Sequence, residues 1–208
     1  MTADEERARD APVVVEELGP LAVVRINRPS ERNSLSVSTL EAIDRHFTLL
    51  SEGNRFNSII FTGTGDAFAS GADIRELQTL TTETAREFAA RGQRLFRRIA
   101  DARQLTVAAV NGFCMGGGLD LALACRLRVA SPRAVFAHPG ARLGIITGWG
   151  GTQRLPRLIG AARALEMFAT ARRVSAAEAL ETGLVDFVAD DALGRAFEIA
   201  AARAGRPG

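Results

Sequence analysis

Apolar positions change their period several times along the chain, and each change predicts an element. Val13–Val15 and Leu21–Asn27 are short apolar runs on either side of Gly19-Pro20, which predicts two strands in a hairpin-like start. Val37, Leu40, Ile43, Phe47 and Leu50 recur at the spacing of one helical face, predicting a helix over Val37–Ser51 with His46 off that face and solvated. Ser58–Thr62 is a compact strand, followed by a polar, glycine-bearing loop from Gly63 to Ala72. Ala85, Phe88, Ala89, Leu95, Phe96 and Ile99 form the buried stripe of a long helix over Thr82–Ala102. Val107–Val110 holds no polar residue, as expected of a strand covered on both faces.

Beyond it, Asn111-Gly112 turns the chain, and Gly116-Gly117-Gly118 opens a helix over Leu119–Arg126. Leu127–Ala130 and Val135–Ala137 read as further short strands, and a helix begins at Gly150 that Pro156 should bend or interrupt. Ser175-Ala-Ala-Glu178 has the form of a capping box ahead of a helix, Val185–Val188 reads as a strand, and Leu193–Ala204 as a last helix. Residues 1–10 are expected to be a disordered tail and 205–208 to fray, with one domain over 11–208. Strands alternating with helices predict an α/β chain with parallel pairing.

Composition narrows the chemistry. All 26 members of the Lys+Arg count are arginine. With no lysine, a P-loop nucleotidase, a pyridoxal-phosphate enzyme and a kinase are excluded, since each needs one. There is no tyrosine to serve as a phenolic acid. The net charge is +2, and no stripe of arginines interleaved with aromatics runs along the chain, so no nucleic-acid partner is expected. Cys114, Cys125, His46 and His138 are too few and wrongly spaced for a metal cage, and no metal or separate cofactor is expected. The charged start (MTADEERARD) has no signal-peptide character. The longest apolar stretch, Thr106–Cys125, is broken by Asn111, Asp120 and four glycines, so no membrane span is expected and the location should be cytoplasmic.

The most informative local order is strand, Asn-Gly turn, triple glycine, helix over residues 107–126. The first N–H groups of a helix lack internal partners and that end is partly positive, so bare glycine backbone there can hold a developing oxyanion. Close strand–helix packing accounts for the same glycines equally well. A second loop, Ser70-Gly71-Ala72-Asp73-Ile74, also follows a strand and is an ordinary turn by itself. Only the two together suggest a pair of amides converging on one oxygen.

Four ordered blocks then carry a resemblance: Asn27-Arg-Pro-Ser-Glu-Arg-Asn-Ser-Leu35, Phe68-Ala-Ser-Gly-Ala-Asp-Ile74, Ala108-Ala-Val-Asn-Gly-Phe-Cys-Met-Gly-Gly-Gly118 and Gly150-Gly-Thr-Gln-Arg-Leu-Pro156. With Val174-Ser-Ala-Ala-Glu-Ala-Leu180 and Gly183-Leu-Val185, they make the chain similar to the enoyl-CoA hydratase/isomerase (crotonase) family. The resemblance implies a spiral of ββα units that binds an acyl-coenzyme A thioester, with coenzyme A as part of the substrate, in fatty-acid metabolism. It implies an oxyanion hole made by the backbone N–H groups of Ala72 and Gly117, which would stabilise a thioester enolate. Ala72, Asp73, Ile74 and Arg75 would line the adenine and pantetheine site, and Arg32, Ser34 and Leu35 the other loop beside the coenzyme. Ser70, Gly116, Gly117 and Gly140 complete the expected binding set.

The departures from the family restrict the reaction. Where hydratases carry two glutamates, this chain has Asp120 and Gly140. Asp120 is one methylene shorter and is expected to be the surviving acid/base, its alternative role being to complement the helix dipole. Gly140 supplies no acid or base. His138, two residues away, could share that face in a strand, though a backbone-bonded structural histidine is the simpler expectation. Enoyl-CoA hydratase is the best label. The alternatives are an isomerase or decarboxylase using one carboxylate, or a non-catalytic CoA-binding or assembly protein. The chain also lacks much of the family's usual C-terminal helical segment, so the expected homotrimer or hexamer would be weakened.

Overall fold

The protein is described by a computed structural model over residues 11–204; the tail expected at 1–10 and the fraying expected at 205–208 lie outside the described residues. β1 (Val13–Leu18) and β2 (Leu21–Ile26) form the expected antiparallel hairpin, turned at Gly19 with φ 61°. Repeated strand–strand–helix turns follow. β2 leads to β3 (Ser34–Leu35) and α1 (Val37–Ser51). β4 (Ser58–Gly63) leads to β5 (Ala67–Ala69), β6 (Gly71–Ala72), α2 (Ile74–Leu77) and α3 (Thr82–Ala100). β7 (Leu105–Val110) leads to β8 (Phe113–Met115) and α4 (Gly117–Ala124). β9 (Leu127–Ala130) leads to β10 (Val135–Ala137), α5 (Gly151–Ile159) and α6 (Ala161–Thr170). The chain then runs through β11 (Val174–Ser175), α7 (Ala176–Glu181), β12 (Phe187–Val188) and α8 (Ala192–Ala204).

The first strand of each turn enters a six-stranded sheet ordered β1-β2-β4-β7-β9-β12, parallel apart from the opening hairpin. Later strands build a second sheet ordered β11-β10-β8-β5, while β3 and β6 pair in parallel beside it. This is the expected α/β spiral of ββα units. The surroundings of residues 107–110 of β7 explain why they include no polar side chain. Val107 and Ala109 face a layer closed by Ala192, Ala196 and Ala200 of α8, whereas Ala108 and Val110 face the main core of Phe61, Phe68, Phe96 and Leu119. Side chains alternating between two apolar layers leave no polar position over 107–110; Thr106, earlier in the strand, is buried but accepts from Arg126 N (3.0 Å).

Several bounds differ from expectation by two residues, as where β7 starts at Leu105, α3 ends at Ala100, α4 ends at Ala124 and β12 starts at Phe187, and three differences bear on how the chain is built. The segment 63–72 is not a plain loop but carries β5 and β6, because buried Asn33 clamps it from a distant segment. Asn33 Nδ2 donates to the carbonyls of Thr64 (2.9 Å) and Ala67 (2.6 Å), and its Oδ1 accepts from Arg28 N (2.8 Å). Helix α4 begins at Gly117, two residues earlier than the first apolar position suggested. Pro156 sits inside α5 without ending it; the break comes at Gly160, whose φ of 88° a non-glycine residue rarely adopts.

The end of the described chain is tied to the main sheet by one buried arginine. Arg128 donates from Nε to Leu184 O (2.9 Å), from Nη1 to Cys125 O (2.8 Å) and from Nη2 to Asp186 Oδ2 (2.9 Å), and the same carboxylate oxygen accepts its backbone N–H (2.8 Å). Truncating Asp186 to alanine leaves a buried guanidinium without its counter-charge. A loss of about 3 kcal/mol is expected, read as a lower urea midpoint at unchanged slope. An unaltered midpoint would show that the pair is not holding β9 and β12 together.

Candidate active site

Two loops meet where α4 starts. Gly71 has φ 102°, and a Cβ built on it would sit 2.9 Å from Met115 O and 3.2 Å from Gly117 N, so the 70–72 and 115–117 backbones are in contact. Ala72 and Gly117 both line one cavity of about 560 Å³, together with Ser70, His138, Thr147 and Trp149. Gly116, at φ 50°, donates its N–H to Ala137 O (2.9 Å) and aims the next residue into α4. Gly117 is thus the first residue of that helix, where an amide has no intrahelical acceptor and the dipole is positive.

The triple glycine serves both packing and access, at different residues. A Cβ on Gly118 would lie 2.2 Å from Ala69 O, so that glycine lets α4 lie against β5. Gly117 lies on the cavity wall, where a Cβ would come within 2.3 Å of Trp149 Cζ3. Trp149 is almost fully buried and donates Nε1–H to Phe88 O (3.3 Å). Its ring stands 5.2 Å from Phe88 and, nearly perpendicular, 5.7 Å from Phe96. It makes a rigid apolar floor beside the Gly117 amide.

Asp120 lies one helical turn beyond Gly117 and is 0% exposed. Its carboxylate is not part of the cavity wall. Oδ2 accepts the hydroxyl proton of Thr147, which does line the cavity. Oδ1 is buried without a hydrogen-bond partner, 3.6 Å from His138 Nε2. Burial pushes the Asp120 carboxyl up to about 7, against the opposing pull of the Thr147 hydroxyl, the Trp149 and Gly151 amides and the Arg154 guanidinium. The shortfall in side-chain length expected at Asp120 is therefore met by a hydroxyl rather than by the cavity itself.

His138 does line the cavity, but the backbone bond expected of it is absent. Neither ring nitrogen has a hydrogen-bond partner, the ring lies 4.9 Å from that of Phe168, and burial lowers its pKa to about 4. It is a neutral imidazole at physiological pH. Gly140 lines the same wall, and a Cβ there would fall 2.4 Å from Ile145 O. The loop over residues 141–146 occupies the space a side chain at 140 would need.

Of the residues expected to bind a coenzyme, Ser34, Ser70, Asp73, Ile74, Arg75 and Gly116 line the cavity with Gly71, whereas the Arg32 side chain is exposed outside it and Leu35 is core. Leu35 still borders the site through its backbone, since β3 pairs it with Ala72. Asp73 caps α2 by accepting from Arg75 N (3.0 Å), and the Arg75 guanidinium beside it holds its carboxyl below the usual range. Arg75 also pairs with Glu31, yet is 72% exposed, so its charge stands at the cavity rim. Sequence reasoning missed Thr147 and Trp149. No local signal marks either, since their partners Asp120 and Phe88 come from other turns of the spiral.

Comparison with known proteins is consistent along the chain. The enoyl-CoA hydratase/isomerase family model matches residues 16–203. The chain is 44% identical over 177 residues to a crotonyl-CoA hydratase of Syntrophomonas wolfei, with 85% of this chain and 68% of that relative covered. It is 41% identical over 179 residues to a short-chain-enoyl-CoA hydratase of Clostridium acetobutylicum, with 86% and 69% covered. The crystal structure of enoyl-CoA hydratase from Bacillus anthracis superposes with a TM-score of 0.90 at 37% identity, over 94% of this chain and 78% of that one. Among the described residues, no helix is long and apolar enough to cross a membrane.

Proposed function

Because the chain belongs to the enoyl-CoA hydratase/isomerase (crotonase) family, we propose that it adds water across the double bond of a short-chain 2-enoyl-CoA thioester. The observation that carries this reading is the contact between the 70–72 and 115–117 backbones on one wall of the cavity. In it, the thioester carbonyl oxygen accepts hydrogen bonds from the amides of Ala72 and Gly117. Attack of water on carbon 3 drives charge onto that oxygen, and each donor stabilises the resulting enolate by roughly 2.7–4 kcal/mol.

Ser34, Ser70, Asp73, Ile74 and Arg75 hold the coenzyme, with Arg75 at the rim facing its phosphates. The acyl chain lies against Trp149, and the ring at that depth supports a short acyl group, in keeping with the names of the two curated relatives. Asp120 is the acid/base. With Gly140 supplying none, its single carboxylate also makes a one-base 2,3-enoyl isomerase the second reading.

A panel of crotonyl-CoA, 3-butenoyl-CoA and malonyl-CoA tests the assignment. Crotonyl-CoA is expected to be consumed with 3-hydroxybutyryl-CoA as product. Consumption of 3-butenoyl-CoA alone would establish the isomerase instead, release of carbon dioxide from malonyl-CoA a decarboxylase, and binding without turnover a non-catalytic CoA-binding protein.

A further inference from the structure

Asp120 poses a problem for any reaction in this cavity: the carboxylate is buried, yet its chemistry needs a proton to reach substrate. The wall between them is specific. Thr147 lines the cavity, is half-buried, and donates its hydroxyl proton to Asp120 Oδ2. On the other side Gly151 closes over the carboxylate, since a Cβ there would lie 2.0 Å from Asp120 Oδ1, 2.9 Å from Thr147 Cγ2 and 3.0 Å from His138 Cε1. Thr147 is the one hydrogen-bonding side chain that joins Asp120 to the cavity among the described residues.

We infer that Thr147 is a catalytic residue, its Oγ passing protons between the cavity and the buried Asp120 carboxylate. This deepens the hydratase reading and rests on it. A water oxygen bonds to carbon 3 of the enoyl thioester while the carbon 2–carbon 3 π pair moves toward the thioester oxygen. The water proton passes to Thr147 Oγ as the hydroxyl's own proton moves to Asp120 Oδ2, leaving an enolate and a neutral carboxylic acid. Carbon 2 then takes a proton from Thr147 Oγ, the acid proton returns to that oxygen, and the carboxylate is restored. Water has been added with no change of oxidation state in the protein.

The groups facing Asp120 fit this cycle. His138, from the end of β10, is held neutral by burial, and Cys114 on β8 is kept as a thiol by burial with the Asp120 charge nearby. Arg154 on α5 is the cation whose field favours the carboxylate, and the Trp149 and Gly151 amides act in the same direction. With Asp120 titrating at about 7, both halves of the cycle are accessible near neutral pH.

The test compares wild type, Thr147→Val and Thr147→Ser in crotonyl-CoA hydration across pH, with quenching of the chain's single tryptophan as the binding readout. Valine keeps the shape and removes the hydroxyl; serine restores it. Thr147→Val is expected to lose about 100-fold in kcat with little change in the tryptophan-quenching midpoint, and Thr147→Ser to recover most of the loss. Wild-type kcat should rise through a limb near pH 7, and the residual activity of Thr147→Val should show that limb displaced upward, since the lost hydrogen bond had lowered the Asp120 pKa. Wild-type kcat in Thr147→Val, or equal losses in both variants, overturns the relay and leaves the hydratase reading standing. A wild-type protein whose tryptophan responds to crotonyl-CoA but which forms no hydrated product overturns both.

Discussion

Replacing Gly117 by proline is expected to lower kcat for enoyl-thioester hydration by about 100-fold or more while leaving α4 in place. Within α4 itself, proline removes only the amide proton proposed to hold the enolate. At the first helical position that amide bonds no carbonyl of its own helix, and the fixed φ of proline suits the site. The residue before a proline must avoid the α region, and Gly116 already does so at φ 50° and ψ −119°. The obstacle is Trp149, whose Cζ3 would stand 2.3 Å from the new Cβ. The comparison is therefore made in a Trp149→Ala background, where the ring is gone and the added carbon has room. Trp149→Ala alone supplies the reference rate. If adding Gly117→Pro to it leaves kcat unchanged and the protein folded, the Gly117 amide does not touch the reacting carbonyl.

The sequence made the long elements legible because their burial is periodic. Five apolar residues at helical spacing bound helix α1 correctly at both ends, and the apolar run Val107–Val110 finds β7 and its end, though the strand starts two residues earlier, at Leu105, ahead of the polar Thr106. β9 and β10, of four and three residues, are still legible as apolar runs, but β3, β6, β8 and α2 show no such run or period, and they are held by contacts from other turns. Asn33 fixing the backbone near β5 from another segment is the clearest case.

The same division runs through the site. The glycine loops could be found because bare backbone at a helix start has a local signature. Thr147 and Trp149 could not, because a threonine becomes a partner for Asp120 only when α5 and the loop before it fold back over α4. Gly140 looked like a simple loss of a side chain, whereas the backbone at Ile145 has moved into the space. Burial of Asp120 was equally invisible. An acid in a first helical turn is ordinary on a surface, and it is the approach of Thr147, His138 and Gly151 from later turns that removes it from water.

That burial carries a cost that Asp120→Asn should relieve. The Asp120 carboxyl is raised from 3.8 to about 7, so the folded state binds its proton more tightly than the unfolded chain does. Its contribution to stability is fully present below pH 3.8 and is lost as pH rises toward 7. His138 runs the other way: lowered from 6.5 to about 4, it contributes above pH 6.5 and loses that contribution as pH falls toward 4. Both proteins keep His138, so the difference between them isolates the carboxyl. Asparagine should gain on wild type by roughly 1.4 kcal/mol for each pH unit between about 4 and 7, reaching about 4 kcal/mol at mildly alkaline pH and staying level beyond. Urea unfolding on either side of neutrality measures the gain, and hydration assays on the same samples should show activity falling as stability rises. A stability difference that does not change with pH would mean that Asp120 titrates alike in the folded and unfolded chain.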